Sequence, residues 1–533
     1  MLNIKGYLYC TGGVGYRIDV NGKKVFYPDQ TQNISNPISS WEETYQYLIQ
    51  SPIDLLITST DANIGNLRKN TPSDNKIILK YIDIGMYFGQ FQLPLNADGT
   101  VPSYIAGYKY YDPNNAGSSV RFWYQGWKDL VFGKIKEAIS NGFNGIFLDD
   151  IGKTNNFKPN NLYGNEVVAD IEQKMADFVT EIRAYLTSVS DGATTYLIGN
   201  DPLGLLTSSP QVAKIFDAVL NEGGVNSRSV DLSQMYPSLT TTEALKKVVE
   251  TYQQFGVTVL GHDWFSTKLE ISKLIKDLDV YSNLGVVTSY QIGFQGPDLL
   301  KYGPLVLTAN EDNQVISGTS NLPFIYTSGN KLNSAFSSGS NNDHFKVNKN
   351  VTSIIDDGGI DTAWFDIPYS SVKVQFTSPS DTNVVYKTNE LTRLQNVERL
   401  NFSDKSIAID INGNAGSTAK LLGAVFGKDS LTNKQYVGIG LSLLDAGMSP
   451  TTLASLAVDA ANLKTNDQIV STLWKNVFGT TASNSDKAPY IKLLDDGMTP
   501  GTLAWLAADT TFNKVNINLV GLAQTGIEYI PVS

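Results

Sequence analysis

The chain contains one cysteine, Cys10, and two histidines, His262 and His344, among its 533 residues. A single cysteine cannot form a disulfide within the chain, so a disulfide framework is excluded. Two histidines are too few for a histidine-rich zinc site, and they leave few candidates for Ser–His catalysis. An active site in this chain must therefore draw mainly on other residue types.

Charged residues are also scarce, at 17% of the chain, and basic residues are the minority among them. The 41 Lys and Arg against 52 Asp and Glu give a formal net charge of −11. An acidic protein repels nucleic acid and anionic membranes and attracts cationic substrates. The N-terminus lacks a signal-peptide core, and no apolar run is long enough to span a bilayer. We therefore expect no nucleic-acid partner, no membrane insertion, and an export route without an N-terminal signal peptide.

Residues 1–305 alternate between strand-like and helix-like segments, a pattern that predicts an α/β fold, specifically a (β/α)₈ TIM barrel. A helix over Val167–Leu186 is the clearest helical element, because its apolar residues recur at helical spacing. The eight predicted strands are Gly6–Cys10, Ile53–Thr58, Ile77–Ile84, Gly145–Leu148, Thr195–Gly199, Ala218–Leu220, Val257–Gly261 and Gly285–Ser289.

The rest of the chain changes in composition twice. Residues 306–415 are rich in turn-forming Gly, Ser, Asn and Asp, which predicts a small all-β module. Residues 416–512 predict an α-helical repeat module, since Leu443–Pro450 returns 50 residues later as Leu493–Pro500. Residues 513–533 follow as a C-terminal tail.

Each copy of this repeat carries helix punctuation. Gly447 and Gly497 are expected to end a helix, since glycine suits the left-handed position after a helix. Ser449 and Thr499, each followed by proline, are expected to cap the start of the next helix.

Polar residues follow the predicted barrel strands at their carboxyl ends, where barrel active sites lie. Asp149 and Asp150 come directly after a buried strand, and Glu222 follows another. Glycoside hydrolysis needs one carboxyl group that holds a proton and one that stays ionised, so Asp149 and Glu222 are the candidate catalytic pair. The candidate substrate-binding residues are Asp83, Asp150, Trp123, Tyr124, Trp127, Asn200, Asn221 and Asp263.

Other interpretations of these residues remain open at this point. Asp150 can instead cap the segment that follows it. The acidic cluster can instead bind Ca²⁺ or Mg²⁺, and half of the aromatic run around Trp123 can belong to the core. If Asp83, Asp149 and Asp150 converge, like charges must raise the pKa of one of them.

Three segments of residues 1–305 resemble glycoside hydrolase family 114, the endo-α-1,4-polygalactosaminidases and their relatives: Lys80–Gly85, Trp123 to Trp127 and Gly142–Asp149. The resemblance implies a (β/α)₈ barrel in which Asp149 and Glu222 are the catalytic carboxylates. The sequence departs from the family at three positions: Asp83 replaces a serine, Met86 a glutamate and Gly152 an aspartate. These departures bear on the substrate and on whether the barrel is active.

A second resemblance lies in the C-terminal part. Asn396–Asp404 is similar to the tails of haemolysin-like, calcium-associated bacterial exoproteins, which leave the cell by type I secretion. Gly339–Asp343 and Gly358–Thr362 resemble single degenerate copies of their glycine–aspartate Ca²⁺ repeats, although ordinary turns look alike. The sequence lacks a tandem repeat array, so a full parallel β-roll is not expected. The resemblance implies Ca²⁺ ligands at Asp343, Asp357 and Asp361.

Two functions fit these observations. The leading hypothesis is a secreted or cell-surface glycoside hydrolase that cleaves a galactosamine-type polysaccharide, with structural Ca²⁺ and no cofactor for catalysis. The rival is a non-catalytic surface-layer or matrix-binding protein, whose degenerate barrel is held by C-terminal repeats that bind surface glycan or self-associate. The tail Asn518–Ser533 is expected to act as a secretion signal, or alternatively to dock on the repeats.

Overall fold

The computed structural model describes residues 4–10, 16–18, 24–26, 45, 49, 51–59, 63–69, 75–87, 96–100, 102–106, 118–161, 165–222, 238–265, 271–292, 305–318 and 323–532. The chain divides into two compact units, Met1–Asn310 and Glu311–Ser533. The three C-terminal parts distinguished in the sequence thus form one compact unit. Among the described residues, no helix combines the length and apolar composition needed to cross a membrane.

The first unit is built on a parallel sheet of eight strands that pair in chain order. The first and last strands also come within 8 Å of each other, so the sheet curls in the manner of a TIM barrel. All eight predicted strands are present. They are β1 (Tyr7–Cys10), β2 (Leu55–Thr58), β3 (Ile77–Asp83), β4 (Gly145–Asp149), β5 (Tyr196–Asn200), β6 (Ala218–Glu222), β7 (Val259–Phe265) and β8 (Val287–Ile292).

Helices follow the strands, as the alternating pattern predicts. The helix expected at Val167–Leu186 is present as Ile171–Ser188, and its apolar residues are buried. Short antiparallel strands (Met86–Tyr87, Ile105–Ala106 and Ser118–Val120) form a small sheet between β3 and the next helix. The helices are α1 (Ile64–Lys69), α2 (Gln125–Ser140), α3 (Ile171–Ser188), α4 (Leu203–Ser208), α5 (Thr241–Gln254) and α6 (Ile271–Asn283).

Alternate side chains of the strands fill the space that the sheet encloses. Strand residues alternate between the two faces, so one set points inward and the other toward the helices. The inward set forms one apolar cluster, which excludes water below the carboxyl ends of the strands. Its members are Ile4, Tyr7, Tyr9, Leu55, Ile57, Leu79, Phe147, Ile198, Ala218, Leu220 and Leu260.

The second unit begins with a short parallel β-roll, which the sequence does not predict. The chain alternates between two parallel sheets, and up to Phe365 the partners in adjacent coils are 17–20 residues apart, as His344 and Thr362 are at 18. The coils therefore have similar lengths although the sequence contains no tandem repeat array. The strands are β9 (Val315–Ser317), β10 (Phe324–Thr327), β11 (Ser334–Ser337), β12 (His344–Val347), β13 (Val351–Ile355), β14 (Thr362–Phe365), β15 (Val372–Ser378), β16 (Asp381–Tyr386), β17 (Leu391–Gln395), β18 (Arg399–Asn401) and β19 (Ser406–Ala408).

Helices follow the roll and bear out the predicted caps. Gly447 and Gly497 have φ angles of +88° and +101° after their helices. Ser449 and Thr499 each accept a hydrogen bond from the backbone of the following first turn. The helices are α7 (Asn414–Phe426), α8 (Lys434–Asp445), α9 (Pro450–Ala460), α10 (Asn466–Phe478), α11 (Asn484–Asp495), α12 (Pro500–Ala508), α13 (Thr511–Asn516) and α14 (Leu519–Thr525).

The C-terminal tail is part of this second fold. Residues Ile527–Tyr529 form β20, which pairs antiparallel with β19 and closes one sheet of the roll. The backbone N–H of Ile530 then donates to Lys434 O at 3.0 Å. The tail therefore contributes ladder hydrogen bonds and buried side chains to the unit, rather than extending from it.

Candidate functional site

Three adjacent barrel strands end in polar side chains of the inward set. In β4, β5 and β6, the last residue lies two positions after a side chain of the apolar interior, so the period of two directs it inward as well. These last residues are Asp149, Asn200 and Glu222. Both candidate catalytic carboxylates thus lie at the mouth of the barrel, the end at which the strands reach their carboxyl termini, with Asn200 on the strand between them.

One amide nitrogen connects the two carboxyl groups. Asn200 Nδ2 donates to Asp149 Oδ1 at 2.9 Å and to Glu222 Oε2 at 2.5 Å. Because both bonds start from the same atom, the two oxygens lie no farther apart than the sum of these distances, about 5.4 Å. The structure therefore brings the predicted pair together.

The Asp149 carboxyl group is fixed from three directions. Besides Asn200, the backbone N–H of Asp150 donates to Oδ1 at 2.7 Å, and the Tyr81 hydroxyl donates to Oδ2. Burial, followed by the negative charge of Asp149, raises the pKa of Tyr81 well above its ordinary value, so Tyr81 remains a donor. Three donors match an ionised carboxylate, which can only accept.

Asp83 and Asp150 form a second carboxyl pair beside the first. Asp83 is buried, and its Oδ1 accepts from the backbone N–H groups of Gly85 and Met86 at 3.2 and 2.9 Å. The turn after Asp83 packs closely against Asp150, and only glycine fits at position 85, because a Cβ there would overlap with the Asp150 carbonyl oxygen. Burial, then the charges of Asp150 and Asp149, raise the pKa of Asp83 well above its ordinary range. Asp83 therefore ionises at a higher pH than a free aspartate does.

Asp150 is the more readily ionised member of that pair. Burial, then the charge of Asp149, raises its pKa to about 6, although Lys153 Nζ lies 3.3 Å from its carboxylate. The residue adopts a left-handed conformation with φ +58°. Its side chain does not cap the following turn, so the capping interpretation is wrong. Burial and the neighbouring negative charges thus raise the pKa of both Asp83 and Asp150, as expected where like charges converge.

The aromatic run before α2 divides between surface and core. Trp127 is 0% exposed and its indole N–H donates to Ile84 O at 3.0 Å, so it cannot stack on a sugar, contrary to the prediction. Trp123 is half-buried and packs edge-on against Phe157, with ring centroids 4.9 Å apart. Tyr124 is 39% exposed. Only Trp123 and Tyr124 remain available to a ligand.

Two predicted substrate-binding residues face away from the mouth. Asn221 and Asp263 belong to the outward set of β6 and β7, one position out of step with the inward residues. Both are buried, and Asn221 Nδ2 donates to Asp201 Oδ1 at 2.9 Å. They therefore support the strand ends from outside the mouth, because a shift of one residue along a strand reverses the side-chain direction.

Sequence reasoning missed two inward aromatic residues, Tyr81 and Tyr9. Burial, then the charges of Glu222 and Asp149, raise the pKa of Tyr9, which places its hydroxyl within the field of both carboxylates. The Tyr9 ring also meets the His262 ring edge-on at 4.8 Å. The alternation of side chains along a strand could have identified both, because Tyr81 lies two residues after the interior residue Leu79, and Tyr9 two residues after Tyr7.

The positions that depart from the family pattern have structural partners. Met86, at the family's glutamate position, is buried, and its Sδ accepts from Asn156 Nδ2 at 3.1 Å. The same amide donates to Ser119 Oγ at 3.0 Å, which ties the turn after β4 to the small antiparallel sheet. Gly152 lies in that turn with no atom within 4 Å of the place where a Cβ would stand.

A separate acidic cluster lies in the β-roll. Asp343, Asp356 and Asp361 are buried, and one ligand atom from each lies within 4.8 Å of the others. Asp357, predicted as a ligand, is exposed; its neighbour Asp356 takes the inward position because side chains alternate along this segment. Oδ2 of Asp343 and Oδ2 of Asp361 are buried without a hydrogen-bond partner among the described residues.

Comparisons with known proteins give distant structural similarities. No family model and no curated protein sequence matches the chain. The glycoside hydrolase domain of PelA from Pseudomonas aeruginosa is 13% identical over 56% of this chain and 98% of that domain, with a TM-score of 0.35. Aspergillus fumigatus Ega3, solved in complex with galactosamine, is 11% identical over 46% of this chain and 86% of its own, with a TM-score of 0.33. At these scores, the similarities alone establish neither fold nor function.

Proposed function

We propose that residues 1–310 form an endo-acting glycoside hydrolase that cleaves a galactosamine-type polysaccharide. The observation that carries the proposal is the position of two carboxyl groups at the barrel mouth, Asp149 and Glu222, whose facing oxygens lie within about 5.4 Å. Glycoside hydrolases use such a pair on either side of the scissile bond. The carboxyl ends of barrel strands are also where such chemistry is placed.

The spacing supports a retaining mechanism. Carboxyl groups about 5–5.5 Å apart serve retention, whereas inversion needs about 6.5–9.5 Å to admit a water molecule. Asp149 attacks the anomeric carbon while Glu222 donates its proton to the leaving glycosidic oxygen. The C–O bond breaks and a glycosyl ester forms on Asp149. Glu222 then takes a proton from water, the water oxygen attacks the anomeric carbon, and the Asp149 carboxylate is released.

The acidic surroundings of the pair support a cationic amino sugar as substrate. Asp150 lies beside Asp149 and is ionised above about pH 6. The whole chain carries a formal net charge of −11, which raises the local concentration of a polycationic chain. Trp123 and Tyr124, before α2, offer rings for stacking against pyranose faces.

The test is hydrolysis of defined polymers. Purified protein is incubated with de-N-acetylated and N-acetylated α-1,4-galactosamine polymers, and reducing ends are measured. We expect release by the wild type and a loss of about 10³-fold or more in Asp149→Asn and Glu222→Gln. Asp177→Asn, on the exposed face of α3, is the matched control. If no amino-sugar polymer is cleaved, the hydrolase proposal fails and a non-catalytic, matrix-binding barrel replaces it.

We further propose that the β-roll binds a structural Ca²⁺ through Asp343, Asp356 and Asp361. Oxygen-only ligands suit this ion, and two of the buried oxygens have no hydrogen-bond partner among the described residues. Added Ca²⁺ is then expected to raise the melting temperature of the roll. Asp361→Asn should abolish the response, whereas the matched variant Asp357→Asn should keep it. An equal response in both variants contradicts the site.

The proposal places the protein outside the cell, secreted or at its surface, where polysaccharide matrices lie. A chain without disulfides can cross a channel unfolded. Because β20 is paired within the sheet, a secretion signal in residues 513–533 must be read before this strand folds.

A further inference from the structure

We infer that Asn200 is a positioning residue that sets the separation of the two catalytic carboxyl groups and determines which oxygen of Glu222 carries the transferable proton. The inference rests on the proposed function for the roles of Asp149 and Glu222. Its geometric basis, one amide nitrogen between two carboxyl oxygens, stands independently of the substrate.

The amide of Asn200 has one orientation that suits its neighbours. The NH₂ group of asparagine has two hydrogens and no acceptor capacity. Turning the amide over would place its carbonyl oxygen against Asp149 Oδ1, which as an ionised carboxylate oxygen can only accept, and which already accepts the backbone N–H of Asp150. The orientation with Nδ2 toward Asp149 and Glu222 is therefore the one that the surroundings allow, and both hydrogens of Nδ2 are used.

The same hydrogen bond distinguishes the two oxygens of Glu222. An oxygen that accepts an N–H presents a lone pair in that direction, so Oε2 is held as the acceptor. The carbonyl oxygen of a protonated carboxyl group is a better acceptor than its hydroxyl oxygen, so the bond from Asn200 to Oε2 favours the proton of Glu222 on Oε1 when Glu222 acts as the acid. Asn200 thereby orients the acid so that one defined oxygen faces the glycosidic bond.

Negative charge moves from Asp149 to Glu222 during the proposed reaction. When Asp149 becomes an ester it loses its negative charge, and Glu222 gains one as it gives up its proton. A donor shared between the two oxygens binds more strongly to whichever is charged. Asn200 therefore stabilises charge on Asp149 before the first step and on Glu222 after it, without moving.

Asn200 is rigidly placed for this role. It is the last residue of β5, it is 5% exposed, and β5 lies between the strands that carry the two carboxylates. Tyr81 holds the other oxygen of Asp149, so that loss of Asn200 frees the relative orientation of the pair while leaving Asp149 partly anchored.

The test compares Asn200→Asp, which keeps the side-chain volume but replaces the donor, with Asn200→Ala. We expect kcat to fall about 100-fold or more in both variants, with KM changed less than threefold. The acidic limb of the pH profile should move up by about one pH unit, because the ionised form of Asp149 loses the hydrogen bond that favours it. A merely structural role would lower stability and leave the pH profile in place.

Asn513 offers a matched control in the second unit. Its Nδ2 also bridges two oxygens, Lys420 O at 2.8 Å and Ala508 O at 2.7 Å, in a fully buried position. Asn513→Ala is expected to lower stability and to leave kcat and the pH profile unchanged.

A second readout separates this inference from the proposed function. ¹³C NMR titration of the Asp149 and Glu222 carboxyl carbons needs no substrate. We expect their titration midpoints to move by half a pH unit or more in Asn200→Ala. If the wild type cleaves no polymer while the midpoints move, the proposed function fails and the positioning stands. Unmoved midpoints, or wild-type kcat in folded Asn200→Asp, overturn the inference.

Discussion

Replacing Asp150 by asparagine should stabilise the barrel at neutral pH and slow its reaction. The pKa of Asp150 is raised from 3.8 to about 6 by burial and by the charge of Asp149. The difference corresponds to about 3 kcal/mol, at about 1.4 kcal/mol for each tenfold change in the proton affinity. The folded protein bears this cost whenever Asp150 is ionised, and an uncharged asparagine avoids it.

The pH dependence of the effect follows from the direction of the shift. Because the pKa is higher in the folded state than in the unfolded state, the folded protein binds the proton more tightly between about pH 4 and pH 6. The free energy of unfolding of the wild type therefore falls as the pH rises through this window. The advantage of Asp150→Asn should be near zero at about pH 4 and reach its full size above about pH 7.

The free energy of unfolding of the barrel can be measured by hydrogen exchange across a urea series, with mass spectrometry as the readout. Peptides from β4 to β6 report on the barrel separately from residues 311–533. Asp191→Asn is the matched control, since Asp191 also has a positive φ, +49°, but is exposed. It corrects for the tolerance of asparagine for left-handed backbone. An Asp150→Asn protein no more stable than wild type at pH 7.5, or equally stabilised at pH 4, would refute the reasoning.

Three further outcomes are expected. Glu222→Gln should bind polymer with wild-type affinity while hydrolysis is lost, and isothermal titration checks this; lost binding would mean that Glu222 holds substrate instead. Gly438→Ala should destabilise the second unit in thermal unfolding, because a Cβ there overlaps with the Ile530 carbonyl oxygen, whereas Gly133→Ala, with open space around it, should not. Deleting the residues after Lys514 should unfold the β-roll edge, leave the barrel folded and keep the protein in the cytosol; undiminished extracellular protein would contradict a C-terminal signal.

Much of the barrel could be predicted because its strands are buried on both faces and read as continuous apolar runs. Asp149 and Glu222 could be placed at the mouth because each directly follows such a run. Asn221 and Asp263 were assigned wrongly, since a strand end one residue out of step turns a side chain to the opposite face. Strand bounds that are uncertain by a residue or two are therefore enough to locate the site, but they do not decide which of two neighbouring side chains lines it.

The β-roll could not be predicted because its coils share geometry rather than sequence. Phe324, Asp343, Asp361 and Glu398 occupy equivalent positions in successive coils, and each backbone N–H of the first three donates to the next acidic side chain, at 2.5, 2.7 and 2.9 Å. Only two of the four are aspartates, and the inserted β15–β16 hairpin lengthens the last interval. The coil length of 17–20 residues is therefore not visible as a repeat in the sequence.

The Asn396–Asp404 motif likewise has a physical explanation in the structure. Arg399 is buried, and its guanidinium pairs with Asp410 and with both oxygens of Asp445. These pairs join the last parallel strand of the roll to the start of α7 and the end of α8. Replacing either member of a buried ion pair leaves an uncompensated charge, so Arg399 and its two aspartate partners depend on one another for stability.

The central claim is that Asp149 and Glu222 form a retaining pair, and the stereochemistry of the first product tests it most directly. Proton NMR follows the anomeric signal of the newly formed reducing end while an α-1,4-galactosamine polymer is cleaved, before mutarotation. The distance of at most about 5.4 Å between Asp149 Oδ1 and Glu222 Oε2 predicts that the α-anomer appears first, and that Asp149→Asn gives neither anomer. Initial release of the β-anomer, or unchanged release by Asp149→Asn, would contradict the account.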